Sequence, residues 1–270
     1  MNWVNHIFDE EWSIHSAGGL TGDALFAKRN DKQLFLKRNT TPFLAVLSVE
    51  EIVPKLVWTK RLQNGDVITA QEWIDGRKLT REEMRNEDVL RIVRKIHQSP
   101  ELLHMLVRMG KKENDTTIEF NELYNSCLQE LLHRHPTIYQ ALHLLKQLLP
   151  ATKMQNQVVC HSDLNHNNFI RRENGELYLV DWDQACIADP VKDYGTLLYH
   201  YIPESEWSQW LSAYDETLND SFLRRMYWYV LYETVSFIVW HHRRGEQKQK
   251  VNHLNDLARL KHKISSQLSI

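Results

Sequence analysis

The sequence predicts an α+β protein, with a small antiparallel sheet over residues 1–73 and a larger, mainly helical region over residues 74–270. Three observations carry that prediction. Short apolar runs separated by glycine and Asn-Gly turns fill the N-terminal part, which is strand and hairpin patterning. From Thr80 onward the apolar residues recur at helical spacing instead. Between two groups of helices, the stretch Cys160–Asp183 returns to strand, turn and strand, and it is crowded with Asp, Asn and His.

The elements follow in order. Trp12–His15 suggests a first strand, and Gly18-Gly19-Leu20-Thr21-Gly22 a glycine-rich turn after it. Ala24–Ala27 begins a second strand, Asn30-Asp31 turns the chain, and Gln33–Arg38 gives a third. Gly18, Gly19 and Gly22 are three of the chain's nine glycines. Without Cβ atoms, such a turn lets backbone N–H groups approach phosphate oxygens, although a plain hairpin uses the same residues. Lys37 closes the apolar run Leu34-Phe35-Leu36, with Lys28, Lys32 and Arg38 as nearby rivals for any anion. Thr41-Pro42 reads as a helix start, Thr at the cap and Pro at the first position. Val53–Thr59 and Asp66–Trp73 flank the turn Gln63-Asn64-Gly65-Asp66 and read as a hairpin. Gln71–Gly76 then leads out of the sheet.

Thr80-x-x-Glu83 has the pattern of a capping box, followed by Val89-Leu90, Ile92-Val93 and Ile96 at helical intervals. His97, beside Ile96, reads as a packing or capping histidine. Ile118–Leu132 and Ile138–Leu149 give two more amphipathic helices, the second ended by Pro150. After Asp193 the chain is rich in aromatics. Trp228, Tyr232 and Val235 stand at i, i+4 and i+7, which favours helical core for most of them. His241–Arg244 reads as a basic helix end suiting the macrodipole. Adjacent histidines on a helix point about 100° apart, which makes a poor metal site.

The stretch Cys160–Asp183 carries the chemistry. Gln157–Cys160 is a short strand leading into His161, then Asp163, then Asn168 five residues on. Asn174-Gly175 signals a hairpin turn, and Leu177–Val180 is the apolar run of a short strand that carries Asp181; if the strand continues, alternation puts Asp183 on the same face as Asp181. Phosphoryl transfer in protein kinases uses these residue types. One Asp accepts the hydroxyl proton, an Asn five residues later holds a magnesium ion, and a second Asp holds the other. In that arrangement a lysine on the third strand meets the α- and β-phosphates, the position Lys37 occupies. Isolated Asp and Asn residues usually cap turns. A second Asp beyond a short hairpin, followed at once by Asp189-Pro190-x-x-Asp193, is more than turn chemistry requires.

HSDLNHNNF, LVDWDQA and DPVKDYG together resemble the aminoglycoside phosphotransferase and choline kinase superfamily. GGLTG, LFLKRN, SVEEIVPKLVWTKR and ITAQEWIDGRKL are similar to the bacterial cell cycle regulator CcrZ (YtmP) branch of it. The resemblance runs from about Gly18 to the last helices. It implies a bilobal protein-kinase-like fold, with residues 1–73 as the N-lobe covering a nucleotide. Residues 74–270 would be the C-lobe with catalytic loop, metal site and acceptor site. It implies ATP and Mg2+ as cofactors, Asp163 and His161 as catalytic residues, and Asn168 and Asp181 as metal ligands. Gly18, Gly19, Thr21, Gly22, Lys37, Glu72, Trp73 and Ile74 would bind the nucleotide, the last three at the adenine edge. Asp183, Asp193, Trp228 and Tyr232 are candidates for the substrate. One departure stands out. The helix after Lys37 places Glu50 and Glu51 at its far end, where a lysine-orienting glutamate is not expected.

Composition sets the remaining bounds. With 42% apolar and 25% charged residues the chain reads as globular, and a net charge of −2 argues against general nucleic-acid binding. Three scattered cysteines read as reduced thiols, and no apolar run reaches the ~18–20 residues of a membrane span. The N-terminus lacks signal-peptide character, so a cytoplasmic protein with no membrane partner is expected.

The leading expectation is an ATP- and Mg-dependent phosphotransferase acting on a small hydroxyl compound. No long segment separates Asp181 from Asp193, and no A-P-E element follows, which disfavours a peptide acceptor. Resemblance to the CcrZ branch implies a ribose- or 2-deoxyribose-like sugar or a nucleoside. It also implies a role in cell-cycle and DNA-replication control, with division or replication-initiation proteins as possible partners. Three alternatives stand beside this. The aromatics could cage choline or ethanolamine. Glu204, Glu206, Asp215, Glu216 and Glu233 could form an acidic aminoglycoside pocket. A kinase-shaped regulator could act by contact alone, although it need not keep Lys37, Asp163, Asn168 and Asp181.

Overall fold

The protein is represented by a computed structural model that describes residues 7–17, 24–153 and 155–268. In chain order the strands are β1 (Ser13–Ser16), β2 (Ala24–Arg29), β3 (Lys32–Arg38), β4 (Leu56–Arg61), β5 (Val67–Glu72), β6 (Gly76–Lys78), β7 (Val158–Cys160), β8 (Phe169–Arg172), β9 (Leu177–Leu179) and β10 (Cys186–Ala188). The helices are α1 (Phe43–Val49), α2 (Glu87–Gln98), α3 (Pro100–Arg108), α4 (Thr116–Gln129), α5 (Pro136–Leu148), α6 (Val191–Tyr201), α7 (Trp207–Ala213), α8 (Asp220–Arg243) and α9 (Gln247–Leu268). The chain divides into two compact units, the first made of Met1–Thr80, Ser99–Met109 and His166–Asp181 and the second of the rest.

The first unit is built on a five-stranded antiparallel sheet in the order β1-β2-β3-β5-β4. Alternation decides its faces. Leu25, Ala27, Leu34, Leu36 and Ala70 form a buried cluster, with Phe8, Trp12, Ile14 and Trp58 packed on it. Leu34 and Leu36 point into that cluster, so Phe35 and Lys37 between and beyond them face the opposite side. A second, three-stranded sheet in the order β6-β8-β9 carries the hairpin whose turn holds Gly175 at φ +92°. Leu179 N donates to Ile52 O at 2.9 Å, tying that hairpin to the chain just after α1.

Two helix starts differ from expectation. Helix α1 starts one residue later than Thr41-Pro42 suggests, with Pro42 itself at the cap and no side-chain capping bond. Thr80-x-x-Glu83 opens a short 3₁₀ turn, Glu82–Arg85, and the helix α2 begins only beyond it at Glu87.

The second unit is helical around α8. Phe222, Met226, Tyr227, Trp228, Val230, Leu231, Val235 and Ile238 are all completely covered, so α8 is apolar nearly all round. Helices α4, α5, α6 and α9 pack against it. Each such side chain contributes about 1.5–3 kcal/mol by burial. On α9 the buried residues Leu257, Leu260, Ile264 and Leu268 keep helical spacing. Asn219 caps α8 by accepting from Phe222 N at 2.8 Å, and Asp115 caps α4 by accepting from Thr117 N at 2.8 Å. Of the aromatics from Tyr194 to Trp240, Tyr194, Trp207, Trp210, Phe222, Tyr227, Trp228 and Tyr229 are core, whereas Phe237 and Trp240 are exposed and the others are partly covered. Among the described residues, no helix is long and apolar enough to cross a membrane.

Candidate active site

In the second unit, β7 delivers the chain into the loop His161–Asn165, and that loop hangs from one carboxylate. Asp193, in the first turn of α6, accepts from His161 N and from Ser162 N, each at 2.8 Å. His97 Nε2 lies 3.1 Å from the same carboxylate, and its Nδ1 meets the Tyr214 hydroxyl. Two backbone donors on one buried acid hold the turn tightly enough for Ser162 to keep φ +67°, a left-handed value. Beyond it, Asp163 N donates to His161 Nδ1 at 3.2 Å. Asn165 Nδ2 donates to Asp163 Oδ1 at 2.7 Å, fixing the carboxylate's direction. The buried His161 ring stands edge-on to Trp182 with centroids 4.7 Å apart.

Asp189 supports this from below. Just ahead of α6 it accepts from Val191 N at 3.0 Å, and it pairs with Arg225 Nη1 at 3.0 Å. The two acids of Asp189-Pro190-x-x-Asp193 are thus structural. One stands at the start of the helix, and the other suspends the loop.

Burial alone would raise the Asp193 carboxyl. The hydrogen bond and charge of His97, with the His161 backbone N–H, outweigh it and hold the group below the usual carboxylate range. A depressed carboxyl contributes stability above its unfolded value of about 3.9, and that stability is lost as pH falls through the folded value. His97→Phe removes the donor and its charge, so the loss begins at a higher pH. The acid-unfolding midpoint, followed by tryptophan fluorescence, therefore moves up in pH. An unchanged midpoint would show that His97 does not hold the charge.

The first unit gathers Lys37, Asn168 and Asp181. Asn168 is buried and opens the β8 side of the hairpin, and its carbonyl accepts from Val180 N at 2.8 Å. That bond brings the chain just before Asp181 back beside Asn168. Asp181 takes φ +69°, and its largely exposed carboxylate lies 3.8 Å from Lys37 Nζ. The lysine therefore has an aspartate for its neighbour. Asn168 and Asp181 offer hard oxygen donors of the kind magnesium takes. By contrast, the buried cluster His97, Cys160 and Asp193 has its imidazole nitrogens and carboxylate engaged in the hydrogen bonds above, so it is scaffold.

Several expected site residues need correction. Strand β9 ends at Leu179, so Asp181 lies past the strand and alternation does not carry through to Asp183, which sits exposed in a turn of the second unit. Asp193 is 1% exposed with both oxygens bonded, and Trp228 is 0% exposed. Neither side chain can meet a substrate there. Tyr232 is partly covered and stacks on Trp228 with centroids 5.4 Å apart. Glu72 N and Trp73 N already donate to Lys55 O at 2.9 Å and Gln33 O at 3.1 Å, so Ile74 is the first position beyond the ladder. The Trp73 ring packs on Phe26 at 4.6 Å. Gly18, Gly19, Thr21 and Gly22 lie outside the described residues. Asn165 and the link from His97 to Asp193 were not anticipated.

The model of the phosphotransferase enzyme family (APH) matches residues 19–229. Choline kinase LicA from Streptococcus pneumoniae superposes with a TM-score of 0.71 at 19% identity, covering 96% of each chain. The GDP complex of aminoglycoside 2'-phosphotransferase-IIIa gives 0.74 at 16% identity, also covering 96% of each. Spectinomycin phosphotransferase APH(9)-Ia, in complex with ADP and spectinomycin, gives 0.68 at 14% identity over 93% of this chain and 87% of that one. These chains share the kinase-like fold, an antiparallel sheet region followed by a helical region.

Proposed function

This chain belongs to the APH phosphotransferase enzyme family and is a kinase, and from that premise we propose that it moves the γ-phosphoryl group of ATP, with Mg2+, onto a hydroxyl of a small neutral sugar or nucleoside, ribose- or 2-deoxyribose-like. The observation that carries the reading is Lys37 Nζ at 3.8 Å from Asp181 Oδ1, a cation and a metal-type carboxylate side by side. Phosphoryl transfer needs that pair on the phosphates, where charge must be neutralised while the group moves.

In this proposal Lys37 holds the α- and β-phosphates, and Asn168 and Asp181 hold the metal. Residues 1–73, with Gly18, Gly19, Thr21 and Gly22, cover the nucleotide, and Glu72–Ile74 supply the adenine edge. Magnesium, when bound, neutralises phosphate charge. Asp163 orients the acceptor hydroxyl and receives its proton, and His161 braces the loop. Asp193 and Trp228 leave the substrate set, while Tyr232 and Asp183 remain nearer the surface.

Two features favour a neutral acceptor. Trp228, one of the aromatics that could have caged an ammonium, is core. Four of the five carboxylates suited to a polycationic drug, all but Glu206, are already paired: Glu204 with Lys263 at 2.7 Å, Glu216 with Arg225 at 3.5 Å, Glu233 with His200 at 3.1 Å and Asp215 with Arg94. Resemblance of the N-terminal segments to the CcrZ branch supports the sugar or nucleoside and extends the proposal to cell-cycle and replication control.

A coupled ADP-release assay with Mg-ATP tests the acceptor. Ribose, 2-deoxyribose or a nucleoside should release ADP well above the acceptor-free rate. Choline, ethanolamine or an aminoglycoside emerging as the preferred acceptor would overturn this part of the proposal.

A further inference from the structure

Strands β7 and β10 are antiparallel, and their register sets Cys160 directly opposite Cys186, with Val159 against Ile187 and Val158 against Ala188. Opposite residues of an antiparallel pair put their side chains on the same face of the ladder. Directly opposed residues of antiparallel strands have Cα atoms about 4.5–5.5 Å apart, inside the roughly 4.4–6.8 Å window of a disulfide. Both cysteines are free thiols here. Cys160 is completely covered, its Sγ 3.5 Å from the carbonyl oxygen of Asp189. Cys186 is partly exposed, its Sγ 3.1 Å from Ser162 Oγ. One thiol precedes Asp163 by three residues and the other follows Asp181 by five.

We propose that Cys160 and Cys186 are a redox-modification site, a cross-strand dithiol that a hydroperoxide converts to a reversible disulfide. The order of events follows exposure. The Cys186 thiolate attacks the peroxide, the O–O bond breaks, and with hydrogen peroxide one water leaves and a sulfenic acid remains. The Cys160 sulfur then attacks the Cys186 sulfur. The S–S bond forms, the S–O bond breaks, and the departing hydroxide leaves as a second water with the Cys160 proton. Two thiols give up two electrons in all, and one peroxide takes them.

Burial raises both thiols, Cys160 well above its ordinary value. The Lys192 ammonium opposes that rise at both, and it is the partial exposure of Cys186 that makes it the first to meet a peroxide. The thiolate is the nucleophile, so cross-linking is slow near neutral pH and quickens as pH rises. Once bonded to Cys160, the Cys186 sulfur has no proton to donate to Ser162, the residue immediately before Asp163. The effect of oxidation on turnover rests on the phosphotransferase reading; the bond itself does not.

Peptide mapping of the full chain tests the bond. Protein treated with hydrogen peroxide, quenched with N-ethylmaleimide and digested without reductant should yield one cross-linked pair containing Cys160 and Cys186. Dithiothreitol should abolish it, while buried Cys127 remains a thiol. In Cys186→Ser, Cys160 should stay a thiol under the same treatment, and in Cys160→Ala, Cys186 should run on to sulfinic acid. Over-oxidised Cys186 beside an unlinked Cys160 in the wild-type protein, or links only between separate chains, would overturn the proposal. The wild-type map decides even if a variant fails to fold.

Discussion

Asp163→Asn lowers phosphoryl-transfer turnover by about 10²–10⁴-fold, the usual contribution of a positioned proton acceptor, while ATP binding is kept. The substitution preserves shape and removes the charge. Asp193 still suspends His161 N and Ser162 N at 2.8 Å, so the loop keeps its course. Asn165 Nδ2, at 2.7 Å from Asp163 Oδ1, meets an amide oxygen in place of a carboxylate oxygen. On the proposed role, only the capacity to orient and take a hydroxyl proton should be lost. Asp183 is the comparison residue, exposed in a turn outside the suspended loop, and Asp183→Asn should cost less. Steady-state rates with the identified acceptor, set against calorimetric ATP affinity, separate the two effects. Full turnover in Asp163→Asn would remove the base from the mechanism and bring forward a regulator that acts by contact.

Asp181→Asn removes magnesium-dependent use of ATP. A metal ion supplies several kcal/mol of charge stabilisation to the transferring group, and about 2.7 kcal/mol already corresponds to 10²-fold in rate. Its effect on stability should be small. The carboxylate is 55% exposed and its contact with Lys37 spans 3.8 Å, so the pair is worth under about 1 kcal/mol to folding. The expected pattern is an unfolding temperature close to wild type, turnover down by on the order of 10²-fold or more, and ATP binding that no longer strengthens with magnesium. Normal magnesium dependence in this variant would show that the metal has other ligands.

The legible part of this protein was its patterning. The run Leu34-Phe35-Leu36-Lys37 placed the lysine on the third strand, and the hairpin after Asn168 followed from Asn174-Gly175. What the sequence hid was burial and long-range partnership. Asp193 and Asp163 look alike as letters, yet one is covered by backbone donors and the other sits at a loop tip. His97 reads as an ordinary helical histidine because its partner lies 96 residues away. Trp228 suits a cation cage as well as a core until α8 is found packed on several sides. The spacing of Asp181 and Asp183 suggested a shared face. A strand that stops at Leu179 and a left-handed residue at Asp181 break that periodicity, and neither leaves a mark in composition.

The most direct measurement is mass spectrometry of small molecules after incubation with Mg-ATP and a pool of sugars and nucleosides, comparing wild type with Asp163→Asn. One neutral acceptor gaining the mass of a single phosphoryl group, with wild type only and in step with ADP, is the predicted result. ATP consumed with phosphate appearing on no small acceptor, or equal product from both proteins, would contradict it.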